Sequence, residues 1–154
     1  MIKIMFVCHG NICRSPMAEI IFRDMVKKRG LADKFLIASS ATSTEEIYGD
    51  VGNPVYPPAR EELRKHGLSS DGKRAVQLKR SDYGYYDYLI AMDDANVRNI
   101  YRIVDGDPDC KVSKLMDHTS RKGNVADPWY SGDFATTYKD IYEGCECLLN
   151  EIIG

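Results

Sequence analysis

The residues with the clearest chemical potential lie close together near the N-terminus of this 154-residue chain. Cys8 and Arg14 flank the sequence His-Gly-Asn-Ile-Cys, and Ser15-Pro16 follows directly. A cysteine thiolate is a strong nucleophile, and a guanidinium group matches two oxygens of a phosphate. The spacing therefore predicts a small pocket in which Cys8 attacks a phosphoryl group that Arg14 binds.

The neighbouring sequence supplies the elements that would position these two residues. The apolar residues 4–8 predict a buried strand, Ser15 resembles a helix N-cap, and Pro16 is predicted to be the first residue of a helix. A strand-to-helix loop directs backbone N–H groups and a helix N-terminus towards one point, which favours an anion and a thiolate there. The loop residues expected to line or support this site are His9, Gly10, Asn11, Ile12 and Cys13.

Two details of the loop sharpen this prediction. Asn11 follows a glycine and tolerates a left-handed backbone, which would turn the loop amides inward. The Ser15 hydroxyl could donate a hydrogen bond to the Cys8 sulfur. A cysteine after an apolar strand is often only a small core residue, but the combination of residue types here favours a phosphate site.

The rest of the chain predicts an α/β fold. Apolar runs indicate further strands at residues 35–38, 88–92 and 111–116, and helical spacing indicates helices at 16–29, 59–66, 93–104 and 134–153. Strands that alternate with helices predict a parallel sheet. We expect residues 1–154 to form a single doubly wound domain, a four-stranded parallel sheet with helices on both faces and a phosphate-binding loop between the first strand and first helix.

Three polar residues outside the loop are candidates for a role at this site. Ser39 lies in a hydroxyl-rich loop predicted near the carboxyl ends of the strands, where α/β sheets bind ligands. His66 ends a short helix, where a surface histidine is the simpler interpretation. Asp127, on the long loop 117–133, is the best candidate acid for a leaving group, although its spacing alone favours a turn-forming Asp before Pro.

Composition narrows the class of protein. A net charge of −2 gives no support for a nucleic acid or a membrane as partner. Five cysteines without a signal peptide or long apolar run predict reduced thiols and a cytoplasmic location. Their spacing does not match a zinc site, so no metal is expected. Cys145 falls on the apolar face of the last helix and is predicted to be a core thiol.

At two places the sequence resembles the low-molecular-weight protein tyrosine phosphatases. The first is Val-Cys-x-Gly-Asn-Ile-Cys-Arg-Ser-Pro at residues 7–16, and the second is Asp-Pro-Trp-Tyr at residues 127–130. The resemblance implies that Cys8 forms a cysteinyl-phosphate and that Arg14 binds the phosphate. It also implies that Asp127 first protonates the leaving tyrosine oxygen and then acts as a base towards water.

The resemblance implies supporting roles as well. It places Asn11, Ser15, Ser39 and His66 in a hydrogen-bond network that holds the loop, and Trp129 and Tyr130 beside a phenyl ring. Cys13 would form a reversible disulfide with Cys8 under oxidation. The implied substrates are phosphotyrosine proteins or small aryl phosphates, with inorganic phosphate or a similar oxyanion in the loop, and no cofactor is implied.

Two positions depart from the family pattern. Trp129 stands where relatives often have Tyr, so only Tyr130 remains of a pair that can be phosphorylated. Glu45 and Glu46 occupy a loop where relatives commonly have an aromatic residue. This change leaves the peptide preference open and is expected to disfavour acidic phosphopeptides.

Three alternative functions remain. Arsenate reductases share the fold but need relay cysteines near residues 82–88, where this chain has tyrosines. Protein arginine phosphatases have Thr at the position of Ile12, whose bulk favours a flat phenyl ring. A phosphate-binding module without turnover would not need Cys8, Arg14 and Asp127 together.

Overall fold

A computed structural model describes all residues, 1–154. The helices are α1 (Arg14–Lys28), α2 (Pro57–Lys65), α3 (Asp82–Tyr85), α4 (Asp94–Val104), α5 (Pro128–Ser131) and α6 (Phe134–Ile153). The strands are β1 (Ile2–Cys8), β2 (Phe35–Ala41), β3 (Ile47–Tyr48), β4 (Val51–Gly52), β5 (Tyr88–Ala91) and β6 (Val112–Lys114).

Four of the strands form the predicted parallel sheet, in the order β2-β1-β5-β6. The central position of β1 explains its apolar sequence, because side chains on both faces of an inner strand are buried. Since all four strands run in one direction, their carboxyl ends meet at one edge. Cys8, the last residue of β1, lies at the middle of that edge.

Helices cover both faces of the sheet, which confirms the predicted fold class. On one face, α1 and α6 pack over a core that contains Phe6, Phe22 and Cys145. On the other face, α4 packs over a smaller core that contains Leu89 and Ile100. Cys145 is fully buried as predicted, and this burial raises the pKa of its thiol.

Several predicted boundaries were wrong. β2 continues through Ser39 and Ser40 instead of ending in a loop, because these residues pair in register with β1. β6 is shorter than predicted because Leu115 begins a 3-10 turn. The antiparallel hairpin of β3 and β4 was not among the predicted strands.

The start of α1 also differs from the prediction. Ser15 is the second residue of the helix rather than its N-cap, and Pro16 is the third residue rather than the first. Cys13 occupies the cap position without a capping side chain. The Ser15 hydroxyl lies 2.9 Å from the Cys8 sulfur, so it is engaged at the loop and caps no helix amide.

None of the helices is long and apolar enough to cross a lipid bilayer.

Candidate active site

Hydrogen-bond donors surround the Cys8 sulfur. The backbone N–H of Asn11 donates to Sγ at 3.3 Å, and the backbone N–H of Ser15 donates at 3.4 Å. The Ser15 hydroxyl is 2.9 Å from the same sulfur. Donors directed at one atom stabilise its anionic form. The predicted strand–loop–helix arrangement therefore presents Cys8 as a site for negative charge.

Asn11 fixes the shape of this loop. Its backbone has the left-handed conformation predicted from the sequence, with φ of 58°. Its side-chain oxygen accepts a hydrogen bond from the backbone N–H of Val76 at 3.0 Å. Its side-chain nitrogen donates to the hydroxyls of Ser15 at 2.7 Å and Ser39 at 2.9 Å. These bonds tie the loop to β2 and to the segment that runs beside it.

A buried carboxylate sets the direction of these hydrogen bonds. Ser39 donates its hydroxyl proton to Glu19 Oε1 at 2.5 Å, because an ionised carboxylate can only accept. The Ser39 oxygen is then free to accept from Asn11. The Ser15 oxygen likewise accepts from Asn11, so the Ser15 proton is left to donate to Cys8.

Sequence reasoning missed Glu19. It is only 6% exposed and is paired with Lys73 Nζ at 3.3 Å and with Arg23 at 2.8 Å. Two cations compensate for burying this charge. The sequence feature that could have indicated Glu19 is a carboxylate within a buried stretch of the first helix, since Ala18 and Ile20 on either side of it are also buried. Its partner Lys73 is remote in sequence and gave no signal.

Arg14 is held rigidly at the bottom of the pocket and is 3% exposed. Its NH1 donates to Asp93 Oδ2 at 2.7 Å and to the carbonyl oxygen of Val125 at 2.9 Å. Burial by itself would lower the pKa of Arg14. The negative charge at Cys8 and the hydrogen bond to Asp93 outweigh burial and raise the pKa, so the guanidinium stays charged.

Asp93 is the second functional candidate that sequence reasoning missed, since the sequence placed it only at the start of the predicted helix 93–104. It caps α4 by accepting from the backbone N–H of Asn96 at 2.8 Å, while its other oxygen binds Arg14. The signal for this role was its position just after β5. That strand pairs with β1, so their carboxyl ends are adjacent.

Asp127 reaches the same pocket from the long loop, where the sequence predicted it. Its Oδ2 lies 3.5 Å from Arg14 NH2, and its side chain is 30% exposed. Its Oδ1 accepts from the backbone N–H of Trp129 at 3.0 Å and caps α5. The turn-forming role and the pocket position therefore coexist, because the two oxygens have different partners.

The pocket above these groups has a volume of about 350 Å³. Its lining residues are Cys8, His9, Gly10, Ile12, Cys13, Arg14, Glu45, Glu46, Asp127, Trp129 and Tyr130. Ile12 is 8% exposed, and the Trp129 ring packs against Tyr56 with ring centres 4.8 Å apart. Charged and hydrogen-bonding groups thus lie beside apolar and aromatic side chains that suit a flat ring.

A second cysteine, Cys13, lies in the pocket with Cys8. Cys8 and Cys13 are both free thiols, and both line the pocket. Burial, followed by the negative charges of Cys8 and Asp127, raises the pKa of Cys13 to about 12. Cys13 is therefore a neutral thiol at pH 7. The disulfide between Cys8 and Cys13 stays a prediction.

His66 does not join the loop network, so the role implied by the family resemblance is corrected. Its Nε2 lies 3.1 Å from Glu62 Oε2, and its ring stacks on Tyr138 at a centre-to-centre distance of 3.7 Å. These contacts connect the end of α2 with α6, away from Cys8. The hydrogen bonds expected of His66 come instead from two other residues. The backbone N–H of Val76 donates to Asn11, and Lys73 Nζ donates to the carbonyl oxygen of Ser39.

His9 also makes no contact with the sulfur. Its half-exposed ring lies at the rim of the pocket, with Nε2 3.1 Å from Glu45 Oε2. No group of three or more His, Cys, Asp or Glu side chains in the chain is arranged to hold a metal ion.

Comparisons with known proteins agree with this geometry. The family model "Low molecular weight phosphotyrosine protein phosphatase" matches residues 3–153. The low molecular weight protein-tyrosine-phosphatase YfkJ of Bacillus subtilis is 40% identical over 154 residues, which cover 99% of this chain and 96% of YfkJ. Its crystal structure has a TM-score of 0.91 to this chain at 38% identity, covering 99% and 95% of the two chains.

Two further structures are similar. The low molecular weight protein tyrosine phosphatase SP-PTP of Streptococcus pyogenes has a TM-score of 0.87 at 35% identity, covering 100% of this chain and 95% of its own. A Drosophila arginine phosphatase has a TM-score of 0.85 at 28% identity, covering 99% of each chain. Because the family model matches residues 3–153, this chain belongs to the low molecular weight phosphotyrosine protein phosphatases.

Proposed function

We propose that this protein hydrolyses phosphotyrosine in proteins, or small aryl phosphates, with Cys8 as nucleophile, Arg14 as phosphate-binding residue and Asp127 as acid and base. One observation carries the assignment. Three donors converge on the Cys8 sulfur in a pocket that Arg14 and Asp127 also line. A stabilised thiolate, a fixed guanidinium and a carboxyl group are what phosphoryl transfer through cysteine requires.

In the first step, the Cys8 thiolate attacks phosphorus. A sulfur–phosphorus bond forms while the bond from phosphorus to the tyrosine oxygen breaks. Asp127, in its protonated form, donates its proton to the departing oxygen, so that tyrosine leaves as a neutral phenol. Arg14 and the loop amides bind the phosphoryl oxygens, over which negative charge is spread in the transition state.

In the second step, Asp127 is a carboxylate and accepts a proton from a water molecule. The water oxygen attacks phosphorus, the sulfur–phosphorus bond breaks, and inorganic phosphate and the Cys8 thiolate are released. The Ser15 hydroxyl, 2.9 Å from Sγ, stabilises the sulfur as it regains negative charge.

The walls of the pocket support an aryl substrate. Ile12 and Trp129 offer apolar contact to a phenyl ring, whereas Ile12 has no group to hydrogen-bond a phosphoarginine guanidinium. Because a Drosophila arginine phosphatase has the same fold, phosphoarginine is the competing substrate that must be compared directly.

The first prediction concerns Cys8→Ser. A serine hydroxyl in the same place is a far weaker nucleophile than a thiolate, so hydrolysis of phosphotyrosine peptides should fall by at least about 10³-fold. The variant should still bind phosphate, because Arg14 is unchanged. Initial rates on phosphotyrosine, phosphoserine and phosphoarginine peptides measure both activity and selectivity. Wild-type activity in Cys8→Ser, or faster wild-type turnover of phosphoarginine, would contradict the proposal.

The second prediction concerns Asp127→Asn, which retains a side-chain oxygen to cap α5 but removes the proton donor. Cleavage of phenyl phosphate should fall by about 10²- to 10⁴-fold, because phenolate is a poor leaving group. Cleavage of p-nitrophenyl phosphate should fall less, since nitrophenolate leaves without a proton. The matched control is Asp133→Asn at the N-cap of α6. Equal losses on both substrates would argue against an acid role.

The third prediction concerns the network behind the loop. Ser39→Ala removes the hydroxyl between Asn11 and Glu19 and leaves one buried amide donor of Asn11 unpaired. Because the loop is then held less firmly, the turnover number should fall about tenfold, which corresponds to about 1.4 kcal/mol in the activation barrier. Ser40→Ala is the matched control, because its hydroxyl contacts Met5 instead. The turnover number and the rate of Cys8 alkylation should both fall in Ser39→Ala only. Equal effects in the two variants would show that Ser39 has no positioning role.

A further inference from the structure

The outer part of the pocket carries uncompensated negative charge. Glu45 and Glu46 both line it, and Arg14 is the one Lys or Arg among the lining residues. Arg14 is buried and already faces Asp93 and Asp127. A bound phosphate would occupy the hydrogen-bond donors of Arg14 that these two carboxylates leave free. The rim would therefore still be negative after the phosphoryl group has bound.

Glu46 is fixed in place by the hairpin that follows it. Its Oε2 accepts a hydrogen bond from Asn53 Nδ2 at 2.6 Å, and its backbone carbonyl accepts from the Asn53 N–H at 2.9 Å. Its Cγ lies 3.3 Å from the position that a side chain on Gly10 would occupy. The carboxylate thus lies against the loop that holds the phosphate. Its charge is also among the causes, after burial, Cys8 and Asp127, that raise the pKa of Cys13.

Glu45 extends this charge towards solvent. Its side chain is 70% exposed, and its one close partner is the half-exposed His9 ring. Residues of α5 supply apolar surface to the same pocket, since Trp129 is 54% exposed and Tyr130 is 86% exposed. Carboxylates next to exposed aromatic rings form a surface that suits the charged end and the apolar stem of a Lys or Arg side chain.

We infer that this rim selects phosphotyrosine sites that have Lys or Arg next to the phosphotyrosine, through Glu45 and Glu46. The inference rests on the proposed function and names its substrate class. A basic neighbour gains attraction from both carboxylates and contact with Trp129 or Tyr130. An acidic neighbour meets like charges, which is costly close to a binding site.

The experiment compares two phosphotyrosine peptides of equal length, one with Lys and Arg beside the phosphotyrosine and one with Glu at the same positions. The readout is the ratio of their kcat/KM values at low salt. Wild type should favour the basic peptide. Each of the two carboxylates contributes about threefold, so Glu45→Gln combined with Glu46→Gln should lower the ratio about tenfold. Glutamine keeps an oxygen for Asn53, so the hairpin should remain intact.

A matched control makes the same change of charge elsewhere. Glu146 is exposed on α6 and pairs with no cation. It lies 12 residues after Phe134, the first residue of α6, which is about 18 Å along the helix axis. Glu146→Gln should leave the ratio unchanged, and added salt should lower the wild-type ratio by screening.

The outcomes separate this inference from the proposed function. A wild-type ratio near one, a preference for the acidic peptide, or an unchanged ratio in the double variant would overturn the inference. Each of those results would leave the roles of Cys8, Arg14 and Asp127 intact. Failure of wild type to hydrolyse either peptide would instead contradict the proposed function, and the inference with it.

Discussion

The convergence of hydrogen-bond donors on one buried sulfur atom, that of Cys8, is the interaction on which the rest of this structure depends. Cys8 is 3% exposed, so the nucleophilic thiolate that we propose there needs protein donors in place of water. The left-handed turn at Asn11 directs backbone amides at the sulfur, and Ser15 adds a hydroxyl. Glu19 then fixes the direction in which these side chains donate. Glu19 is therefore a positioning residue: it acts through Ser39 and contacts neither the sulfur nor the pocket.

The parallel sheet brings the remaining groups to this sulfur. β1 ends at Cys8, and its neighbour β5 ends just before Asp93, which holds Arg14 in its buried position. The loop beyond β6 returns to the same edge, where Val125 accepts from Arg14 and Asp127 faces the pocket. Arg14 is therefore where three parts of the chain meet. A guanidinium fixed by protein acceptors loses little freedom when phosphate binds, which favours tight binding of the transition state.

Local patterns predicted what depends on local sequence. The apolar run before Cys8, the helical spacing of the last helix and the loop residues between Cys8 and Arg14 gave the fold class and the centre of the site. Features that depend on distant contacts were missed. Glu19 has its role only because Lys73 and Ser39 reach it from elsewhere in the chain. The predicted cap role of Ser15 was wrong for a local reason: its hydroxyl is directed at the Cys8 sulfur, a contact that the sequence also predicted.

The most direct test of the account is to locate the phosphate during turnover. Wild-type protein mixed rapidly with p-nitrophenyl phosphate, denatured within the first turnover and mapped by peptide mass spectrometry should carry one phosphoryl group on Cys8. The label should disappear once the substrate is consumed, because water cleaves the sulfur–phosphorus bond. A phosphoryl group on another residue such as His9, or a burst of nitrophenol without any labelled Cys8, would contradict it.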